Sequence, residues 1–151
     1  MSRSPVVERL TPVESWKLLR QVTVGRLAVL LDGHVDIFPL NFVVDGDSIV
    51  FRTAMGTKFW GAVREESALE GDGYDQERGL AWSVVVRGRA HVILDGSEKS
   101  AADALHLFPW EPGIKIHYVR LAGSVSGRRF SVDREDVWNT LAWHPRATEF
   151  H

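Results

Sequence analysis

Four side chains in one short stretch have the chemistry to hold an anion: Arg52 and Thr53, then Thr57 and Lys58. They follow an extended apolar run, Ile49, Val50 and Phe51, and precede Phe59, Trp60 and Val63, whose spacing is helical. Two cations and two hydroxyls therefore meet at a strand-to-helix join. Arginine offers a planar fork of donors, lysine a mobile charge, and the free N–H groups of a helix start can complete a cage for phosphate. The same residues also fit an ordinary hairpin edge, with Arg52 and Lys58 solvated and Thr57 capping the next helix. Local pattern leaves both readings open.

Other chemistries find less support. There is no G-x-G-x-x-G, no G-x-x-x-x-G-K-[ST], no G-x-S-x-G and no H-E-x-x-H. His34 and Asp36 share a strand face, but two groups two residues apart make a poor metal site. His91, His106, His117, His144 and His151 have no ligand spacing, and His117 beside Tyr118 reads first as a satisfied strand histidine and second as a proton-transfer group. The basic spot from Gly127 to Phe130 fits ion pairing or a second contribution to an anion site. Tyr74 and Trp143 could stack on a ligand or simply pack.

The elements that must position these groups alternate strands with a few short helices. Thr11, Pro12 and Glu14 form a helix start with a capping box, and the helix runs to about Leu19 or Arg20 with Val13, Trp16 and Leu19 able to share a face. It is expected to cover a barrel end. Gly25 to Leu31 reads as a buried strand, Asp32-Gly33 as a hairpin turn, and His34 to Val44 as the return, followed by a turn at Asp45 to Asp47. Pro39 marks an edge or a bulge. A bulge at Pro39, Leu40 and Asn41 would free backbone groups for a ligand's ring, whereas Asn41 alone could satisfy an irregular backbone.

After a short helix at about 59–65, Glu70 to Asp75 reads as an exposed acidic connection without the ligand spacing of a calcium loop. Leu80 to Leu94 is a strand with Trp82, Val84 and Val86 on one side, Ser83, Val85 and Arg87 on the other, and Gly88 breaking the rhythm. A helix over about 97–108 ends at the stiff loop Pro109 to Gly113. Strands at about 114–121 and 124–132 follow, and the tail from Asp133 is less regular. Six or seven strands with glycine turns predict a small barrel.

Composition sets outer bounds. A chain of 151 residues fits one domain, and 18 basic against 20 acidic residues, a net charge of −2, gives no general attraction to nucleic acid or anionic membrane. Cysteine is absent, which removes disulfides, thiolate nucleophiles and cysteine-ligated metal. No apolar run approaches the ~20 residues of a membrane span, and the polar start lacks a signal-peptide pattern, so a cytoplasmic protein is expected.

The order of blocks, Gly25 to Val29, Pro39 to Phe42, Ile49 to Lys58, Ala81 to Ala90, Pro109 to Gly113 and Gly127 to Phe130, resembles the pyridoxamine 5'-phosphate oxidase-like family of FMN-binding split β-barrels. The resemblance spans residues 8 to 132. It implies FMN at the interface of a homodimer, and in some branches a deazaflavin coenzyme or haem. Arg52 and Lys58 would be the phosphate-binding cations with Thr53 and Thr57 as hydroxyl partners. Pro39, Leu40, Asn41 and Phe42 would lie along the flavin ring, and Trp82 and Ser83 on the barrel wall near the dimer cleft. The substrate-binding C-terminal segment of true pyridoxamine phosphate oxidases is not recognisable after Phe130, while Trp60 and the Gly-rich Glu70 to Tyr74 depart from the pattern. A single flavin-dependent oxidoreductase domain acting on an unnamed small molecule, without a catalytic metal, is therefore expected. A deazaflavin-dependent reductase and a non-enzymatic flavin- or haem-binding protein are the alternatives.

Overall fold

The computed structural model describes residues 6–53, 63–93 and 117–131. Most of the helix expected at 59–65, the helix at 97–108, the loop from Pro109 to Gly113 and the tail from Asp133 lie outside the described residues, as do Thr57 and Lys58. Within them stand seven strands and one helix: β1 (Val6–Leu10), α1 (Pro12–Leu19), β2 (Val24–Leu31), β3 (His34–Asp45), β4 (Ser48–Thr53), β5 (Glu66–Asp75), β6 (Leu80–Val92) and β7 (His117–Ser131). The sheet order is β1-β7-β4-β3-β2-β5-β6, and β6 pairs back onto β7. Six strands thus close a barrel. β7 is long enough to pair first with β4 and then, further along the same edge, with β1, while β6 runs along its other edge. This is the small barrel expected from the strand pattern, in the split form that the family resemblance implies.

Alternation along each strand decides what faces inward. Leu27, Val29, Phe42, Ile49, Phe51, Leu69, Val84, Val86, Val119 and Leu121 fill the interior, joined by Trp16 and Leu19 from α1. The helix begins as its sequence dictates: Thr11 Oγ1 accepts from the Glu14 N–H and Glu14 Oε2 accepts from the Thr11 N–H, both at 3.2 Å. Its buried face differs from expectation. Val13 is 78% exposed, and Ser15 is buried in its place. A Cβ at residue 127 would lie 2.4 Å from Ser15 Oγ, so Gly127 of β7 seats the helix on the side of Ser15 rather than Val13.

Four further expectations are corrected. Glu70 to Asp75 is not a loop but the second half of β5, fully paired with β6. Its glycines face inward, where a Cβ at Gly71 would lie 2.6 Å from Leu19 and one at Gly73 would lie 2.4 Å from Trp82 Nε1. Glu70 and Asp72 face outward and are neutralised by β2: Arg26 Nη1 bonds Glu70 Oε2 at 3.0 Å and Asp72 Oδ2 at 3.2 Å, and Ser83 Oγ donates to Glu70 Oε1. There is no bulge at Pro39, because β2 and β3 pair without a skipped residue from Val24 opposite Asn41 to Leu31 opposite His34. Pro39 instead lies beyond the β3–β4 pairing, where its missing N–H costs no ladder bond on that side.

Gly88 does not break β6, and Gly123 does not divide the last β segment. The two glycines stand opposite each other in one continuous ladder. A Cβ at either would meet the other strand's backbone, Ala122 O at 2.1 Å or Arg87 O at 1.8 Å. Close approach, not chain reversal, explains both. β1, hidden in a polar opening segment, was not foreseen; it is held by β7 rather than by its own apolar content.

Two predictions follow from this packing. Gly88→Ala forces a methyl group into backbone and should cost about 2–3 kcal/mol in urea unfolding; a change within about 0.5 kcal/mol would contradict the close approach. The second concerns Glu70, whose pKa is raised above the ordinary carboxylate value by burial first and by Asp72 second, against the pull of Arg26. A raised folded pKa contributes stability that is full at acid pH and lost as pH climbs through the folded value. Glu70→Gln should therefore flatten this loss, so that its melting temperature rises relative to the parent between pH 4 and pH 7. A difference that is constant or falls over that range would contradict the assignment.

Candidate functional site

Arg52 lies on the outward face of β4, since Ile49 and Phe51 point inward and Val50 and Arg52 point out. It stands directly opposite Tyr118 of β7, and its guanidinium carbon lies 5.1 Å from the centre of the Tyr118 ring, within cation–π range. Tyr118 is 6% exposed and belongs to a small outer cluster with Val50 and Ile93, against which Val43 packs. The cation therefore rests on a built apolar bed. An arginine so placed is half-buried, with its stem and ring contact shielded from water.

The hairpin that carries Arg52 is anchored on both sides. Arg120 Nη1 reaches Asp45 Oδ2 at 3.0 Å and Ser48 Oγ at 2.6 Å, fixing the β3–β4 turn to β7. Arg20, at the end of α1, donates to the Gly46 carbonyl at 3.0 Å. Gly46 has a φ of 62°, a conformation that favours glycine.

The expected ring-lining residues divide between the two faces. The β3–β4 pairing ends at Phe42 opposite Phe51, so Asn41 and Arg52 flank the point where the strands part. Asn41 and Pro39 point outward on the side of Arg52; Leu40 and Phe42 are buried in the barrel, and only their backbones border that surface. Thr53 continues β4 opposite His117.

Ser83 also faces outward, bonded to Glu70, but it lies opposite Arg128, ten residues along β7 from the Tyr118 that faces Arg52. Trp82 turns inward and borders a cleft of about 440 Å³ with Leu18, Val22, Gly73, Tyr74 and Arg129. A single barrel thus gathers Arg52, Asn41 and Pro39, and leaves Trp82 and Ser83 apart from them. In the basic spot of β7, Arg129 pairs with Glu8 at 3.7 Å, as the ion-pairing reading expects. Among the described residues no three His, Asp or Glu side chains gather as a metal site.

Tyr118 and the Arg26–Glu70–Asp72 group escaped sequence reasoning. Each joins residues distant in the chain through barrel register, and no local spacing announces them. Arg26 is bonded to both Glu70 and Asp72, which makes that group a charge network rather than an anion receiver.

On the outer wall beside Asn41 lies an apolar stripe. Leu30 (58% exposed) stands opposite Val35 (71%), and Ile37 (63%) opposite Ala28, with Pro39 at its end opposite Arg26. Exposed apolar side chains that cluster on paired strands are a common mark of a protein contact.

Comparison with known proteins agrees with this architecture. The family model described as pyridoxamine 5'-phosphate oxidase matches residues 11–129. The solved structure of a FAD-binding protein from Mycobacterium smegmatis is 37% identical, covers 83% of this chain and 100% of its own, and superposes with a TM-score of 0.74. A FAD-binding protein from Mesorhizobium loti is 28% identical over 85% of this chain and 99% of its own, with a TM-score of 0.71. An uncharacterised protein of Mycobacterium tuberculosis is 36% identical over 90 residues, 58% of this chain and 80% of its own length. With a family match across most of its length and a closed barrel of the same form, this chain belongs to the pyridoxamine 5'-phosphate oxidase family.

Proposed function

We propose that the protein is a flavin-dependent oxidoreductase that holds its cofactor at the interface of a homodimer. The observation that carries this reading is the placement of Arg52: outward, bedded on Tyr118, and flanked by Asn41 and Pro39 where β3 and β4 part. A half-buried arginine beside a polar amide and an apolar wall fits a ligand that joins a phosphate to a flat ring. By the family resemblance, Lys58, Thr57 and Thr53 would be the other phosphate partners. Bound there, the isoalloxazine would supply the redox chemistry, and the chain's residues would fix the phosphate, orient the ring and exclude water from one of its faces. FMN is the cofactor that the family resemblance implies. The two relatives named as FAD-binding bring FAD alongside it as the second reading.

The apolar stripe supports the dimer. It adjoins Asn41 and Pro39, so a second copy seated on Leu30, Val35 and Ile37 would wall the same cleft. A stable interface buries about 800 Å² per partner, which two paired strands with such side chains can begin to supply.

Arg52→Lys retains charge but loses the two-pronged fork, and Lys58→Ala loses a charge. Each should raise the dissociation constant for FMN or FAD roughly ten- to hundredfold in folded protein. Affinity within about twofold of the parent for both flavins would contradict the phosphate site. Light scattering should give twice the chain mass of 17.0 kDa, and Ile37→Glu should release monomers with weakened flavin binding. A parent monomer at micromolar concentration would overturn the dimer. Mass spectrometry of the ligand released from protein purified from its native host distinguishes FMN, FAD and a deazaflavin.

A further inference from the structure

We infer that Tyr118 is a positioning residue for the flavin phosphate, acting through Arg52 rather than touching the ligand. The inference rests on the phosphate reading of Arg52 and adds what makes that arginine selective for it. Arg52 and Tyr118 are cross-strand partners, so their separation is set by the β4–β7 ladder and not by chance contact of mobile side chains. The guanidinium carbon lies 5.1 Å from the ring centre, and the ring is itself 6% exposed among Val50 and Ile93.

Two consequences follow from a fixed ring beneath a guanidinium. The negative face of the ring stabilises the cation in a partly desolvated place, where an unsupported charge would turn toward water. It also restricts the arginine's rotamers before any ligand arrives, so less side-chain entropy is lost when an anion binds. Both effects act on the phosphate end of a ligand and on no other part. Tyr118 should accordingly govern how strongly the protein prefers a phosphorylated flavin over riboflavin, which carries the same ring and no phosphate.

The experiment titrates FMN and riboflavin into flavin-free full-length parent, Tyr118→Phe, Tyr118→Leu and Arg52→Ala proteins, with thermal unfolding of each as a control for folding. Removing the ring in Tyr118→Leu should raise the FMN dissociation constant roughly 3- to 30-fold and leave that for riboflavin within about twofold. Tyr118→Phe keeps the ring and should restore the parent's preference. If Tyr118→Leu does not fold, phenylalanine and its progressively fluorinated analogues at position 118 drain the ring face with little change of shape, and FMN affinity alone should fall stepwise.

Equal losses for FMN and riboflavin, or no loss for either, in a protein where Arg52→Ala does weaken FMN binding would overturn the role of Tyr118 and spare the phosphate site. No effect of Arg52→Ala on FMN would remove the phosphate site and this inference with it.

Discussion

The pairing of β4 with β7 is the constraint on which the rest of the structure depends. It closes the barrel, it sends Ile49 and Phe51 into the core, and by the same two-residue period it turns Val50 and Arg52 outward onto Tyr118. Slipping this ladder by one residue would drive the Arg52 guanidinium into an interior of leucine, valine and phenylalanine, at a cost of several kcal/mol for an unpaired charge. Arg120 guards against that slip, since its bonds to Asp45 and Ser48 span from β7 to the turn that begins β4. Register and the candidate site are therefore one decision.

Much of this was legible in the sequence where the signal is local. The capping box at Thr11 and Glu14, the Asp32-Gly33 turn with both residues at positive φ, and the alternation through β2, β4 and β6 all depend on neighbours within a few residues. Arg52 and Asn41 stood out on the same grounds. What stayed hidden depends on partners far along the chain. Glycines at 71, 73, 88 and 123 look like chain breaks until the atoms they admit are known: Leu19, Trp82 and the facing backbone. Glu70 and Asp72 look like a solvated loop until Arg26 is placed beside them. Val13 looked like a core residue because its spacing is helical, but Gly127 decides which side of the helix is seated.

In the proposed function the outer wall would carry the site. From β4 to β5 its outward side chains pass from a cation on an aromatic bed, through Asn41 and Pro39, across an apolar stripe, to the closed Arg26–Glu70–Asp72 network. Each zone suits a different part of one assembly: phosphate, flat ring, protein neighbour, polar rim. The inward cleft beside Trp82 stands apart from this sequence of zones, because period-two alternation puts Trp82 on the opposite face from Ser83.

The central claim is that Arg52 receives the phosphate of a flavin on the outer wall. A crystal structure of the full-length protein grown with FMN tests it most directly. The account predicts phosphate oxygens within about 3 Å of the Arg52 guanidinium, which stays over the Tyr118 ring, with the isoalloxazine beside Pro39 and Asn41. A flavin bound instead in the cleft beside Trp82, or one whose phosphate points away from Arg52 into solvent, would contradict it.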